Sequence, residues 1–312
     1  MINDFQLDLA SAAPPGPTML TIGTFDGVHL GHRHLLKSLT VEASRTGCQT
    51  VVITFRNHPR SVLRPDLGVG YITSLDERIA LLKQTGVTSV IPVDFTKEFA
   101  KIRAREFALL LVDILKMRGL VVGPDFAMGY KREGDVPTLI GLGKELGFSV
   151  NVAESFSKDA IVIKSSKIRA ALSEGDVTGA SGMLDRPYSL AGSVVKGDGR
   201  GRGLGFPTAN LGLDGDSLVL ANGIYATWAI VGGRRYLSAT NVGTRATFGP
   251  GERLVESFLL DFDGDLYGKF LTLEFVKRIR AEECFPTVQG LIDQIKRDVV
   301  AIRSILTNQD WS

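Results

Sequence analysis

The sequence predicts a two-part α/β protein: a doubly wound domain built on a parallel sheet, then a small antiparallel β-barrel domain with a C-terminal helix. Three observations predict it. From Leu20 to about Leu184, apolar strand-like runs alternate with amphipathic helical spacing, the pattern of a parallel sheet covered on both faces. After Arg186-Pro187-Tyr188 the strand-like runs follow one another without helices between them. A chain of 312 residues is also long for one compact core and suits two. The domains are expected over 1–184 and 185–312.

In the first half the expected strands are 19–25, 50–55, 88–94, 119–123 and 148–153, with helices filling the gaps. The helix near Ser74 opens on a capping box, Ser74 with Glu77, ahead of Ile79, Leu81 and Leu82. Another runs from about Arg105 and spaces Phe107, Leu110, Leu111, Ile114 and Leu115 as a buried stripe. Ligands of such sheets collect at the carboxyl ends of the strands. Three segments follow strands and so should share one rim: TIGTFDGVHLGHRH at 21–34, Asn57-His58-Pro59, and Gly123-Pro124-Asp125-Phe126.

In the second half strands are expected at 188–196, 223–231, 234–242, 254–262 and 269–276. Gly232-Gly233 is a two-residue hairpin turn and Asp263-Gly264 marks another. A final helix from about Thr287 sets Val288, Leu291, Ile292, Ile295, Val299 and Ile302 on one face, to pack against its own domain.

Composition narrows the class. With 44% hydrophobic and 22% charged residues the chain reads as soluble and globular. A net charge of +2 is too small to argue for nucleic acid or an anionic membrane as the main partner. Cys48 and Cys284 are far apart and lack metal-ligand spacing, so reduced thiols are expected. No basic segment with an apolar core begins the chain, and its longest apolar stretches are broken by charges such as Asp113 and Lys116. The expectation is a cytoplasmic protein with small-molecule substrates, no nucleic acid and no membrane, leaving room for weak self-association.

Two segments carry chemistry. In the first, Gly23, Gly27 and Gly31 stand around Phe25 and Asp26 on a turn that leaves a strand and opens a helix, presenting backbone N–H groups to a bound anion. His29 and His32 are three apart, so a helix starting near Gly31 brings both imidazoles to its first turn, where they could donate to phosphoryl oxygens. Taken alone, they could equally be surface histidines at a helix cap, or metal ligands. In the second segment, KGDGRGRGLGFPTANL at 196–211, Gly197, Gly201 and Gly205 allow close backbone approach while Arg200 and Arg202 can neutralise phosphates. It holds no G-x-G-x-x-G and is not expected to open a helix, which argues against a dinucleotide fingerprint. Thr208 and Asn210 offer a hydroxyl and an amide oxygen suited to a hard cation between phosphates.

The G-x-F-D-G-V-H-x-G-H segment resembles the HxGH nucleotidyltransferases, a Rossmann-like superfamily, in its flavin branch. The G-x-x-R-G-x-x-L-G-F-P-T-A-N-L stretch is similar to riboflavin kinases, and Asn241-Val242-Gly243, Val255-Glu256 and Asp265-Leu266-Tyr267-Gly268 follow in the same order. Over nearly the whole chain the resemblance is to the bifunctional riboflavin kinase and FMN adenylyltransferase family. It implies phosphorylation of riboflavin to FMN by ATP, then adenylylation of FMN to FAD by a second ATP, with Mg²⁺ in both sites.

By resemblance, His29 and His32 serve adenylyl transfer, and Gly23, Phe25, Asp26, Gly27 and Gly31 bind its ATP. Residues 163–169, IKSSKIR, resemble the family's I-S-S-T-R-I-R and would add Ser165, Ser166, Lys167 and Arg169 at a helix N-terminus. Asn57, His58 and Asp125 would line the flavin side, although His58 reads equally as a turn residue fixed by Pro59. In the barrel, Glu256 would be the base for the flavin 5′-hydroxyl, Thr208 and Asn210 would hold Mg²⁺, and Gly197, Arg200, Gly201, Arg202, Gly205 and Asn241 would surround ATP. Glu252 competes with Glu256 but lies in a turn, whereas Glu256 opens a strand.

Departures from the family pattern are Lys164 for Ser, Ser166 for Thr, Lys167 for Arg, Met128 for Phe, Asp185 for Gly and Ala246 for Pro. A riboflavin kinase with a catalytically weak nucleotide-binding scaffold is the chief rival, supported by the altered IKSSKIR. A single-strand nucleic-acid module would need several aromatic platforms among the basic residues, and only Phe206 lies in the loop. An adenylyltransferase for a different acceptor is opposed by the attached kinase-like half.

Overall fold

The computed structural model describes residues 4–65, 70–158, 161–197, 199–213, 220–244 and 253–308. The chain divides into two compact units, Met1–Ser165 and Ser166–Ser312.

The first unit carries five parallel strands, β1 (Thr18–Ile22), β2 (Gln49–Phe55), β3 (Ser89–Val93), β4 (Met117–Val122) and β7 (Ser149–Val152), in the order β3-β2-β1-β4-β7. Every residue of β1 is buried, as a strand covered on both faces requires. One face packs Leu20, Ile53 and Leu120 against α1 (Asp4–Ser11), α5 (Ala104–Leu115) and α6 (Val136–Leu146). The other packs Met19, Val52 and Val121 against α2 (Leu30–Thr46) and α4 (Leu75–Gln84). A short helix, α3 (Pro59–Leu63), and two small hairpins, β5 (Ala127–Met128) with β6 (Gly134–Asp135) and β8 (Ser157–Lys158) with β9 (Ile161–Val162), decorate the rim. The Ser74 half of the expected capping box is formed, Ser74 Oγ accepting from the Glu77 N–H at 3.2 Å. Helix α1 has no counterpart in the sequence reading. It buries only Phe5 and Leu9, and Phe5 meets the edge of Phe99 at 5.2 Å.

In the second unit, α7 (Ser165–Glu174, its first residue belonging to the first unit) and α8 (Val177–Leu184) precede β10 (Tyr188–Val195), α9 (Arg200–Gly203), β11 (Ala209–Leu211), β12 (Gly223–Val231), β13 (Arg234–Thr244), β14 (Arg253–Leu259), β15 (Phe270–Arg280) and α10 (Val288–Thr307). The strands close a barrel in the order β10-β11-β14-β13-β12-β15. Gly232 and Gly233, at φ 56° and 76°, make the expected hairpin turn, with Val231 opposite Arg234. Asp185 ends α8 at φ 61°, the left-handed position for which the family pattern supplies glycine.

Three sequence expectations shift. Helices α7 and α8 divide with the barrel rather than with the sheet: Thr178 Oγ1 donates to Val276 O and the Ala221 N–H to Leu172 O. The Gly/Arg segment does form one helical turn, α9, because the Leu204 and Phe206 N–H groups close onto Gly201 O. In α10 the packed face starts late. Val288 is 62% exposed, while Ile302 and Leu306 are buried against Ala226, Trp228 and Leu237.

Candidate active sites

The first site grows from the exit of β1. Phe25, Gly27 and Val28 all have positive φ (50°, 85° and 40°), so the chain doubles back tightly, with strain at the β-branched Val28. This brings His29 to the N-cap of α2, where its Nδ1 accepts from the His32 N–H at 3.2 Å. With Nδ1 an acceptor, the His29 proton belongs on Nε2. The two imidazoles stack, centroids 3.6 Å apart and 15° from parallel, and Phe25 meets His32 edge-on at 5.2 Å. Burial pushes His32 well below the usual 6.5, and the neighbouring His29 and Arg78 push it further, so His32 is uncharged at neutral pH. Gly31 leaves little room for a side chain: a Cβ there would lie 3.1 Å from both His29 Cε1 and Ile163 O.

Not every backbone amide of this turn faces a ligand. The Gly23 N–H donates to Ile53 O, Val28 to Phe25 O and Gly27 to Thr73 Oγ1. Asp26, expected among the phosphate-binding residues, is instead a buried anchor: its carboxylate accepts from the Ile72 and Thr73 N–H groups. Phe25 likewise supports His32 from a buried position. What the turn leaves for an anion is the very start of α2, the Leu30 and Gly31 N–H groups, since that of His32 is taken by His29 Nδ1.

Ser165 is brought to the same place, its Oγ donating to Asp26 O at 3.0 Å. Ser166, Lys167 and Arg169 follow along α7. On the side expected to face the flavin, the Asn57 amide is taken up by the Phe95 backbone, donating to its O at 2.9 Å and accepting from its N at 2.8 Å. His58 caps α3, its Nδ1 accepting from the Arg60 N–H, which is the turn role that Pro59 suggested. Asp125 is exposed and pairs with Lys164 at 2.9 Å. A cleft of about 540 Å³ opens between α2 and β7, lined by His34, Lys37, Ser38, Asn151 and Glu154. Sequence reading passed over Thr73, Arg78 and the Lys164 pairing. Only the proximity of Thr73 and Arg78 to the Ser74 capping box could have drawn attention to the first two.

The second site lies across three adjacent barrel strands. Asn210 on β11 is paired with Glu256 on β14, and Glu256 with Asn241 on β13, so the three form one cross-strand row. Their sequence neighbours Val255, Ser257, Thr240 and Val242 are buried on the opposite side of the same strands. The Oδ1 atoms of Asn210 and Asn241 are buried acceptors with no donor among the described residues. A Cβ on Gly197 would fall 2.2 Å from Asn210 Nδ2, and one on Gly201 would fall 3.3 Å from Thr208 Oγ1. Gly205 takes φ 85° in the turn before Phe206. Thr208 also lines a small cleft with Val194, Pro207, Phe262 and Tyr267. The side chains of Arg200 and Arg202, and residues Glu252 and Ala246, lie outside what the structure describes. The orphaned Asn210 amide oxygen and the hydroxyl of Thr208, two residues before it in the chain, are donor types that suit a hard cation such as Mg²⁺. Among the described residues no cluster of three or more His, Cys, Asp or Glu could hold a metal ion, and no helix is long and apolar enough to cross a membrane.

A doubly wound domain with a paired-imidazole helix cap, joined to a closed barrel with a carboxylate between two asparagines, defines a two-site transferase of phosphorus-containing groups. The FAD synthetase family matches residues 12–167 and the riboflavin kinase family residues 184–306. The bifunctional riboflavin kinase/FMN adenylyltransferase of Escherichia coli K12 is 36% identical over 295 residues, 94% of each chain. That of Bacillus subtilis is 35% identical over 90% of each. A solved structure described as a macrolide-efflux protein from Streptococcus pneumoniae superposes with a TM-score of 0.87 over 97% of each chain, at 30% identity. The chain belongs to the family of bifunctional riboflavin kinase/FMN adenylyltransferases.

Proposed function

We propose that the two reactions of the family divide between the two units. In the second, the Glu256 carboxylate accepts the proton of the riboflavin 5′-hydroxyl as that oxygen takes the γ-phosphoryl group of ATP, releasing ADP and FMN. Thr208 and Asn210 would hold Mg²⁺, which when bound would offset the charge of the phosphates. Asn241 fixes the carboxylate from the other side. In the first unit, an FMN phosphate oxygen attacks the α-phosphorus of a second ATP and pyrophosphate leaves. His29, through Nε2–H, and the uncharged His32 stabilise the charge that grows on the phosphorus oxygens, while Ser165 and the start of α2 supply further donors. The cleft beside His34 is within the size range of small-molecule sites, roughly 300–1,000 Å³, and takes the adenosine. Lys164, paired with Asp125, supplies a positive charge near the acceptor phosphate. The adenylylating function is assigned to residues 1–184 and the kinase function to 185–312, a boundary that lies later in the chain than that of the compact units.

The observation that carries this division is that each unit gathers its own polar set: a stacked imidazole pair tied through Asp26 O to Ser165, and a separate Asn-Glu-Asn row. His29→Ala is expected to lower FAD formation from FMN by about 100-fold or more while leaving riboflavin phosphorylation intact. Glu256→Ala is expected to do the reverse. Loss of both reactions in either folded variant would refute the division.

A further inference from the structure

One charged group near the imidazole pair has no part in the scheme above. Arg78 of α4 is 1% exposed. Taking a guanidinium out of water is unfavourable unless its environment compensates. Here a single nitrogen, Nη1, donates both to Thr24 O at 2.8 Å and to Phe55 O at 2.9 Å. Thr24 follows β1 and starts the reversing turn that delivers His29, and Phe55 is the last residue of β2. The guanidinium also lies 5.2 Å from the centre of the Tyr71 ring.

This cation does two physical things at once. It occupies two carbonyl oxygens at the strand exits, where ligands of this fold collect and where an outward-turned carbonyl would repel a phosphate. Thr54 Oγ1 adds a second donor to Thr24 O, at 3.1 Å, so that carbonyl is held from two sides. The cation also joins the turn to its outer wall. Burial works against the charge of Arg78 and Asp26, whose carboxylate grips residues 72 and 73, works for it; that charge in turn disfavours a proton on His32.

We propose that Arg78 is a positioning residue for adenylyl transfer, linking the exits of β1 and β2 so that the turn bearing His29 and His32 is held in its reactive shape. It touches neither substrate nor the reacting atoms. Its effect passes through the Thr24 and Phe55 carbonyls. The proposal rests on the reading that the first unit adenylylates FMN.

The test uses the full chain with Arg78→Met and Arg78→Lys, measuring FAD and pyrophosphate formation from FMN and ATP, with riboflavin phosphorylation as the internal reference. Thermal unfolding of each variant gives the folded fraction. Misplacing catalytic groups by about 1 Å can cost on the order of 100-fold, so Arg78→Met is expected to lower kcat for FAD formation about 30-fold or more, with KM for ATP changed less than about threefold. Arg78→Lys is expected to keep most of the rate, because one ammonium can serve both carbonyls as Nη1 does. Riboflavin phosphorylation stays at the wild-type rate in both. Wild-type kcat in Arg78→Met overturns the proposal. So does a loss in both variants that merely tracks the unfolded fraction. Wild-type protein that made FMN but no FAD would overturn the adenylylation reading itself, and this proposal with it.

Discussion

At the scale of single residues, the first site owes its character to burial as much as to residue type. An exposed imidazole is half-charged near pH 6.5, whereas burial, with His29 and Arg78 beside it, holds His32 well below that value and leaves it neutral at neutral pH. The sign of the resulting pH dependence is fixed. Above pH 6.5 His32 is neutral in folded and unfolded chains alike, and its contribution to stability is complete. As pH falls below that value the unfolded chain takes up a proton that the folded one refuses, so stability declines by up to about 1.4 kcal/mol per pH unit until the lowered folded value is passed. Replacing His32 with Gln removes this share. Melting of the first unit between pH 7.5 and 5 should therefore fall more steeply for the wild type than for His32→Gln, and parallel slopes would contradict the argument. The imidazole pair was legible in the sequence because the spacing of His29 and His32 states it. The part played by Asp26 was not, because its partners are backbone amides 46 and 47 residues away. Arg78 was hidden for a similar reason: on α4 it stands among charged neighbours, and nothing local shows that its side chain points inward.

At the scale of elements, period and punctuation located nearly all the strands. The five strands of the parallel sheet lie within a few residues of their expected positions, since runs buried on both faces leave continuous apolar stretches. The element that escaped notice is the one the proposed kinase site depends on. Strand β11 is three residues long, sits in a Gly/Pro-rich segment and pairs through only two positions on each side. No pattern of period 2 can be seen over so short a run. Its partner across the site is a glycine: Gly197 leaves just enough room for the Asn210 amide. Gly197→Ala should push Asn210 out of the row and lower riboflavin phosphorylation by about 100-fold, on the order of the cost of misplacing a positioned group by 1 Å. FAD formation from supplied FMN should be unchanged. Steady-state assays of the two reactions on one preparation decide it, and an Ala variant with a normal kinase rate would show that the contact is not constraining.

At the scale of the whole molecule, two cores were legible from length and from the change of pattern after Arg186, but the seam between them was not. Helices α7 and α8 have ordinary amphipathic spacing, which says that they pack but not on what. Their buried residues Leu172 and Leu184 and their hydrogen bonds to Ala221 and Val276 belong to the barrel unit. A barrel fragment starting at 166 should therefore unfold at a higher temperature than one starting at 185, which loses those partners and at least about 2 kcal/mol with them. Equal melting temperatures would return the two helices to the sheet. The cross-strand row has one more implication. Side chains alternate along a strand, so sliding β14 by a single residue would carry the Glu256 carboxylate into the lumen and turn Val255 or Ser257 toward the proposed nucleotide site. Misaligned barrels would then be inert rather than sluggish, and the return of riboflavin turnover during refolding would time the moment at which the strands find their proper neighbours.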